Sequence, residues 1–253
     1  MTEYAEERRE RIVQLISEGG RIQVQRLAEL LEVSPMTIRR DLERLESEGS
    51  ISRVHGAASR GRERGYELKR ADNVGEKRAI AEVAADFVHS GDTVFLDAGT
   101  TTFEIARRIL DVPDLTVVTV DIKIAFLFTQ CSDAEVMCCG GFVQRETGCV
   151  VGTFANQMVG YVQFDCAFLG VASISRDFNV LTPTMDKVTM KRTVIAGSER
   201  SYLVADASKF NRKALLKVNS LAAYTEVITT RTFSPDEEAR LAALGACIHA
   251  VTV

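Results

Sequence analysis

The chain has 253 residues, 46% of them hydrophobic and 26% charged, with a net charge of −4. That length holds one large core or two smaller ones, and the charge excludes a bulk-basic nucleic-acid module, so any case for DNA rests on where charges sit. Residues 1–10 alternate acids and bases without an apolar run, and no stretch reaches the roughly 18 apolar residues of a membrane span, so a cytoplasmic protein without a membrane partner is expected.

Ile12, Leu15 and Ile16 recur on one helix face, predicting a helix from about residue 6 to residue 17, stopped by Gly19-Gly20. Val24, Leu27, Ala28 and Leu31 repeat the spacing for two turns. After Glu32-Val33, Ser34 and Pro35 read as the N-cap and first position of a third helix running to Glu48, with Gly49 as its stop. Three residues between two helices is helix-turn-helix spacing. On the third helix Ile38, Leu42 and Leu45 share the inward stripe; Met36, Thr37, Arg40 and Arg44 share the outward face, with Arg39 at its flank. Such a face suits the DNA major groove, because a guanidinium donates two bonds to guanine. Residues 50–56 alternate polar and apolar side chains, as a strand pair forming a wing would. Residues 1–60 nevertheless carry 10 Lys+Arg against 11 Asp+Glu, and a plain three-helix bundle with solvated arginines is the competing reading.

The run from Arg26 through Leu42, with Val33-Ser34-Pro35-Met36-Thr37-Ile38-Arg39-Arg40-Asp41 at its centre, and Arg53-Val54-His55-Gly56-Ala57 after it, resemble the DNA-binding signature of the DeoR family of bacterial regulators. The resemblance implies that Ser34, Met36, Thr37, Arg39 and Arg40 contact double-stranded operator DNA, with Arg53 and His55 on the wing. Ala57 departs from it, standing where the family usually has a second glycine.

From Ser59 to Gly75 the apolar pattern lapses and charges crowd together. This predicts a winged helix-turn-helix domain over 1–58, a linker over 59–75 and an α/β domain over 76–253. In the last, a helix over 76–88 precedes a strand over 93–96, and a helix over 103–110 precedes a strand over 115–120. Further strands are expected at 135–139, 166–169, 202–205, 227–229 and 247–253. Near-continuous apolar strands alternating with helices imply a mostly parallel, Rossmann-like sheet covered on both faces. Ser234-Pro235-Asp236-Glu237 reads as a capping box, with Gly245 the stop of that last helix.

Ligands of such sheets bind beyond the carboxyl ends of the strands. There Asp97-Ala98-Gly99-Thr100-Thr101-Thr102 turns a strand into a helix, aiming backbone N–H groups and three hydroxyls at one point, as a small anion requires. An ordinary Asx or Thr helix cap is the alternative. Asp121, Gly140, Gly141 and Gly170 follow other strands, and Lys209 in Asp206-Ala207-Ser208-Lys209-Phe210 can face the same anion. Lys187, Lys191 and Arg192 are weaker candidates, because helix lysines are usually solvated. The cysteines Cys131, Cys138, Cys139, Cys149, Cys166 and Cys247 lack CxxC pairs, and His55, His89 and His249 stand far apart. Reduced, mostly buried thiols, no metal site and no cofactor are expected.

This half is also similar to the DeoR effector domain, through Glu76-Lys77, Asp97 to Thr101, Gly140-Gly141, Asp165 to Gly170 and Asp206 to Phe210. The resemblance implies a fold like ribose-5-phosphate isomerase, a phosphorylated sugar or related effector, and a homo-oligomer, dimer or tetramer. Asp121 departs from the family's usual asparagine, Met185 and Lys187 lack its acidic residue, and Thr230-Arg231 stands where Thr-Asp is common. The segment from Thr182 to Arg192 is closest to a subgroup associated with four-carbon sugar acids. A repressor released by its effector is expected, an activator built from the same parts is the alternative, and an isomerase with Asp121 as base and Lys209 as electrostatic partner is the competing class.

Overall fold

The computed structural model describes residues 5, 7–9, 11, 12, 15, 22–47, 52–54, 57–59 and 65–253. In the N-terminal unit the described residues of the first predicted helix are helical, and Ile12 is fully buried with Val24, Leu27, Ile38 and Leu42, with Leu15 packed against them. Its glycine stop lies outside the described residues. Strand β1 (Ile22–Gln23) leads into helix α1 (Val24–Leu30), and α2 spans Pro35–Ser47. The wing is β2 (Ser52–Val54) antiparallel to β3 (Ala57–Ser59), with β1 added on the far side of β3. The strand pair therefore reaches past residue 56, because the return strand must follow the turn rather than share its residues.

The C-terminal unit runs α3 (Tyr66–Ala71), α4 (Val74–Ala85), β4 (Thr93–Leu96), α5 (Thr100–Arg108), β5 (Thr116–Thr119), α6 (Ile122–Cys131) and β6 (Glu135–Cys138). The hairpin β7 (Phe142–Gln144) and β8 (Cys149–Val151) follows, then α7 (Thr153–Val159), β9 (Phe164–Gly170), β10 (Ser173–Ile174) and β11 (Asn179–Thr182). Last come α8 (Met185–Ala196), β12 (Ser198–Ala205), β13 (Leu216–Ser220), β14 (Glu226–Thr229), α9 (Pro235–Leu244) and β15 (Ile248–Ala250).

The seven expected strands form one sheet in the order β15-β14-β12-β9-β4-β5-β6, with every neighbouring pair parallel. Side-chain alternation divides them between two cores. Phe95, Val118, Leu169, Leu203 and Val227 point to one face, under α7, α8 and α9; Val94, Val117, Phe168, Val204 and Ile228 point to the other, under α4, α5 and α6. A small antiparallel sheet, β10-β11-β13, sits apart and was not legible as strands in the sequence.

The segment read as linker contains α3. Tyr66 buries its ring edge-on to Phe103, centroids 6.3 Å apart, and Lys123 lies 4.0 Å over the same ring. One aromatic anchor among charges leaves no periodicity to detect. Helix α5 likewise starts at Thr100 rather than Phe103, its polar first turn having been read as loop. Among the cysteines, Cys131, Cys138 and Cys247 are exposed, which corrects the expectation of mostly buried thiols. No described helix is long and apolar enough to cross a membrane.

Candidate functional site

On α2, Ile38 and Leu42 are fully buried and Leu45 nearly so, whereas Met36 is 66% exposed and Arg39, Arg40 and Arg44 face solvent. Ser34 accepts the Thr37 N–H at 3.1 Å and shares a hydroxyl hydrogen bond with Thr37 at 2.9 Å, so Ser34 caps the helix and holds the Thr37 side chain. Asp41, the acid nearest this outward face, is turned inward and buried, with Arg8 at 2.6 Å and Arg9 at 3.8 Å. The domain's net charge is therefore a poor guide to its surface: this acid is neutralised inside. Arg53 stands in β2 opposite Ala58; His55 lies outside the described residues.

In the second unit the chain steps from β4 through β5 to β6 on one side, then returns to β9 on the other side of β4. Between β4 and β9 the connections diverge, opening the crevice where ligands of such sheets bind. A cavity of about 130 Å³ lies there, lined by Asp97 to Thr102 after β4, Gly170 to Ser173 after β9, Thr182 and Pro183 after β11, Lys187 and Lys191 from α8, and Lys209 and Arg212 to Ala214 after β12. Lys69, from α3, joins the wall.

Its floor is a polar knot. The Asp97 carboxylate accepts N–H bonds from Ala98 at 2.8 Å and Gly170 at 3.1 Å and ion-pairs with Lys191, whose ammonium also donates to the Gly170 carbonyl at 2.6 Å. Lys191 is only 5% exposed, which overturns its reading as a solvated helix lysine. Arg192 beside it donates to the Val218 and Lys217 carbonyls and lines no part of the cavity. Thr100 and Thr101 present the first turn of α5 to the cavity, but the Thr102 hydroxyl is turned back to the Gly99 carbonyl at 3.0 Å, so two hydroxyls, not three, are offered.

Asp121, Gly140 and Gly141 are not on the cavity wall. Asp121 is fully buried as the cap of α6, accepting the Lys123 N–H at 2.8 Å. Burial pushes its carboxyl above the usual range, against N–H bonds from Lys123, Gly99 and Ile124 and the Lys123 charge. Gly141 serves packing: its φ is +153°, and a Cβ there would stand 2.5 Å from the Val151 carbonyl oxygen in the β7–β8 hairpin. A turn glycine and a ligand-approach glycine look alike in sequence.

Below the cavity Asp206 is buried, accepts from Asn73 and Ser208 at 3.0 Å each, and stands 3.7 Å from Lys209. Burial alone would raise its pKa; the Lys209 charge and these hydrogen bonds more than offset it, and the carboxyl sits below its ordinary range. Lys77, 3% exposed, donates to the carbonyls of Lys69 and Asp72, tying α4 to the end of α3. Sequence reasoning missed Lys69, Thr182, Arg212 and Lys213. The last two lie three and four residues beyond Lys209, within reach of the same after-strand rule; Lys69 gives no local signal.

Residues 72–231 match the family model described as the DeoR C terminal sensor domain, and residues 8–63 match that of the DeoR-like helix-turn-helix domain. The chain is 35% identical over 246 residues, 96% of each chain, to the HTH-type transcriptional regulator GlpR of Haloferax volcanii. It is 30% identical over 221 residues to the glycerol-3-phosphate regulon repressor of Escherichia coli, across 86% of this chain and 88% of that one. Ribose 5-phosphate isomerase from Plasmodium falciparum superimposes on 55% of this chain and 54% of its own, with TM-score 0.39 and 17% identity.

Proposed function

This chain belongs to the DeoR family of transcriptional regulators, and on that premise we propose that it represses a sugar or sugar-acid catabolic operon and leaves its operator when a small phosphorylated sugar or sugar acid fills the cavity at the β4–β9 crevice. It is a regulator and not an enzyme: the relatives named above are regulators, and the isomerase alternative loses its base, since Asp121 is buried off the cavity. One observation carries the effector class. Six cationic side chains, Lys69, Lys187, Lys191, Lys209, Arg212 and Lys213, line the cavity against the single carboxylate of Asp97. Lys191 is paired with Asp97 and Lys209 faces Asp206, yet a wall so rich in cations suits an anion, and the first turn of α5 supplies N–H groups to hold one. The name of the Escherichia coli relative, whose regulon is that of a phosphorylated triol, supports the same class.

The reading head is Met36, Thr37, Arg39 and Arg40 on α2, capped by Ser34, with Arg53 and His55 on the wing against phosphate. Two or more copies in a homo-oligomer present these helices to operator half-sites in the cytoplasm. The domains divide near residue 60, and the effector acts by binding the DNA-free arrangement more tightly, since equal affinity for both would shift nothing.

The test is fluorescence anisotropy of the full chain on the DNA upstream of its own gene, with and without sugar phosphates. Thr101→Asp puts a carboxylate where the anion sits; it is expected to keep DNA binding and lose all response to the effector. Thr37→Ala with Arg40→Ala is expected to do the reverse, weakening operator binding by at least about tenfold, as loss of one bidentate arginine contact would. Loss of both functions in either variant would contradict the division of labour.

A further inference from the structure

One cation on the cavity wall differs from the others in where it comes from. The lining is drawn from residues 97–214 except for Lys69, which stands on α3, the described element between the wing strand β3 and α4. Helix α3 is held at both ends. At its start the Tyr66 N–H donates to the Glu146 carbonyl at 2.8 Å, and the ring is buried against Phe103 and Lys123. At its end the buried Lys77 ammonium donates to the Lys69 and Asp72 carbonyls, and Asn73 donates at 3.0 Å to Asp206, the carboxylate that Lys209 faces across 3.7 Å. So placed, Lys69 joins five other cations on a wall where Asp97 is already paired with Lys191. Lys77 registers the crowding: burial first, and then the Lys209 charge, lower its pKa, with Lys69 acting in the same direction against Asp206 and Asp72. Seating α3 therefore works against like charge, and an anion in the cavity removes that opposition.

Building on the effector-site reading above, we infer that Lys69 is the residue through which effector occupancy reaches the DNA-binding unit: an anion in the cavity draws Lys69 and holds α3 in its seat, and the seated α3 belongs to the arrangement with low operator affinity. The other five cations belong to the unit that carries the cavity; Lys69 alone stands on the covalent path from the wing. An anion that touches Lys69 prefers the seated α3, which is the unequal affinity that coupling requires. By linkage the operator weakens effector binding by the same factor.

Fluorescence anisotropy of the full chain on the DNA upstream of its own gene gives the ratio of operator Kd with saturating effector to that without. Glycerol 3-phosphate, erythrose 4-phosphate and ribose 5-phosphate are the probes, and calorimetric titration of each variant sets saturation. With at least one probe the parent's ratio is expected to reach about tenfold or more, within the usual range of such coupling. Lys69→Met keeps an apolar stem and drops the charge. It is expected to need more effector and, once saturated, to leave the ratio below about twofold, whereas Lys69→Arg keeps the parent's ratio. Hydrogen exchange of the full chain without DNA is expected to show the probe slowing the amides of residues 66–71 in the parent but not in Lys69→Met, while those of residues 100–102 slow in both. If saturated Lys69→Met reaches the parent's ratio, or if the amides of residues 66–71 exchange unchanged in the liganded parent, Lys69 is a wall contact only, and the inference is overturned with the effector site intact. A parent that binds a probe without change in operator affinity overturns it likewise. If no probe binds the parent, the effector-site reading fails and takes this inference with it.

Discussion

Two buried carboxylates in one unit have different partners. Asp97 has two N–H donors and the Lys191 ammonium, whereas Asp121 has N–H donors on one oxygen and leaves the other without a hydrogen bond. Replacing Lys191 by Met leaves the buried Asp97 carboxylate without its cation, so a loss of about 3–5 kcal/mol is expected in urea unfolding, largely recovered when Asp97→Asn is added. For Asp121 burial sets a pH dependence. Its folded pKa lies above 3.8, so the fold resists ionisation, loses stability as pH climbs from 3.8 through the folded value, and keeps that deficit at neutral pH. Asp121→Asn retains an acceptor for the Lys123 N–H and removes the charge. Its urea midpoint at pH 7 is expected to exceed that of the parent, and the gap is expected to close below pH 3.8; a lower midpoint at pH 7 would show that the ionised carboxylate is favoured there.

At the level of elements, capping decides where helices start, and it ties the proposed reading head to stability. Ser34 does two things in α2, accepting an N–H and positioning the Thr37 hydroxyl. Ser34→Ala is expected to cost about 1 kcal/mol and Ser34→Gly only a few tenths, measured by thermal unfolding of the full chain. Late in the chain α9 has its capping box, with Ser234 and Glu237 exchanging bonds at 3.1 and 3.3 Å. In the β7–β8 hairpin Gly141→Ala meets both a positive φ and the Val151 carbonyl, so a destabilisation of about 1–3 kcal/mol is expected from the strained backbone alone. Unchanged stability would mean that the hairpin moves aside, and with it the close approach at residue 141.

For the whole molecule the observable is linkage. A ligand that enters the cavity at 100 times its Kd is expected to raise unfolding stability by about 2.7 kcal/mol, read as a rise in the melting temperature of the full chain. Thr101→Asp should abolish that rise and leave the unliganded melting temperature close to that of the parent, because Thr101 borders the cavity and takes no part in the hydrogen bonds that join Asp97, Gly170 and Lys191 on its floor.

What the sequence determined by itself is the alternation of seven apolar strands with helices, the capped third helix with its inward Ile38 and Leu42, and the strand-to-helix turn after β4 that borders the cavity. Each is written in a local period or a fixed spacing, which sterics and burial turn into structure without reference to distant residues. The tertiary fold decided the rest. It chose which loops share a crevice, so Lys69, Thr182 and Arg212 joined the cavity while Asp121 and Gly140 did not. It buried Lys191 beside an acid 94 positions away and turned Asp41 inward to Arg8. A carboxylate's fate depends on which remote cation the fold brings within a few ångströms, and that proximity is set by strand order, not by neighbours in the chain.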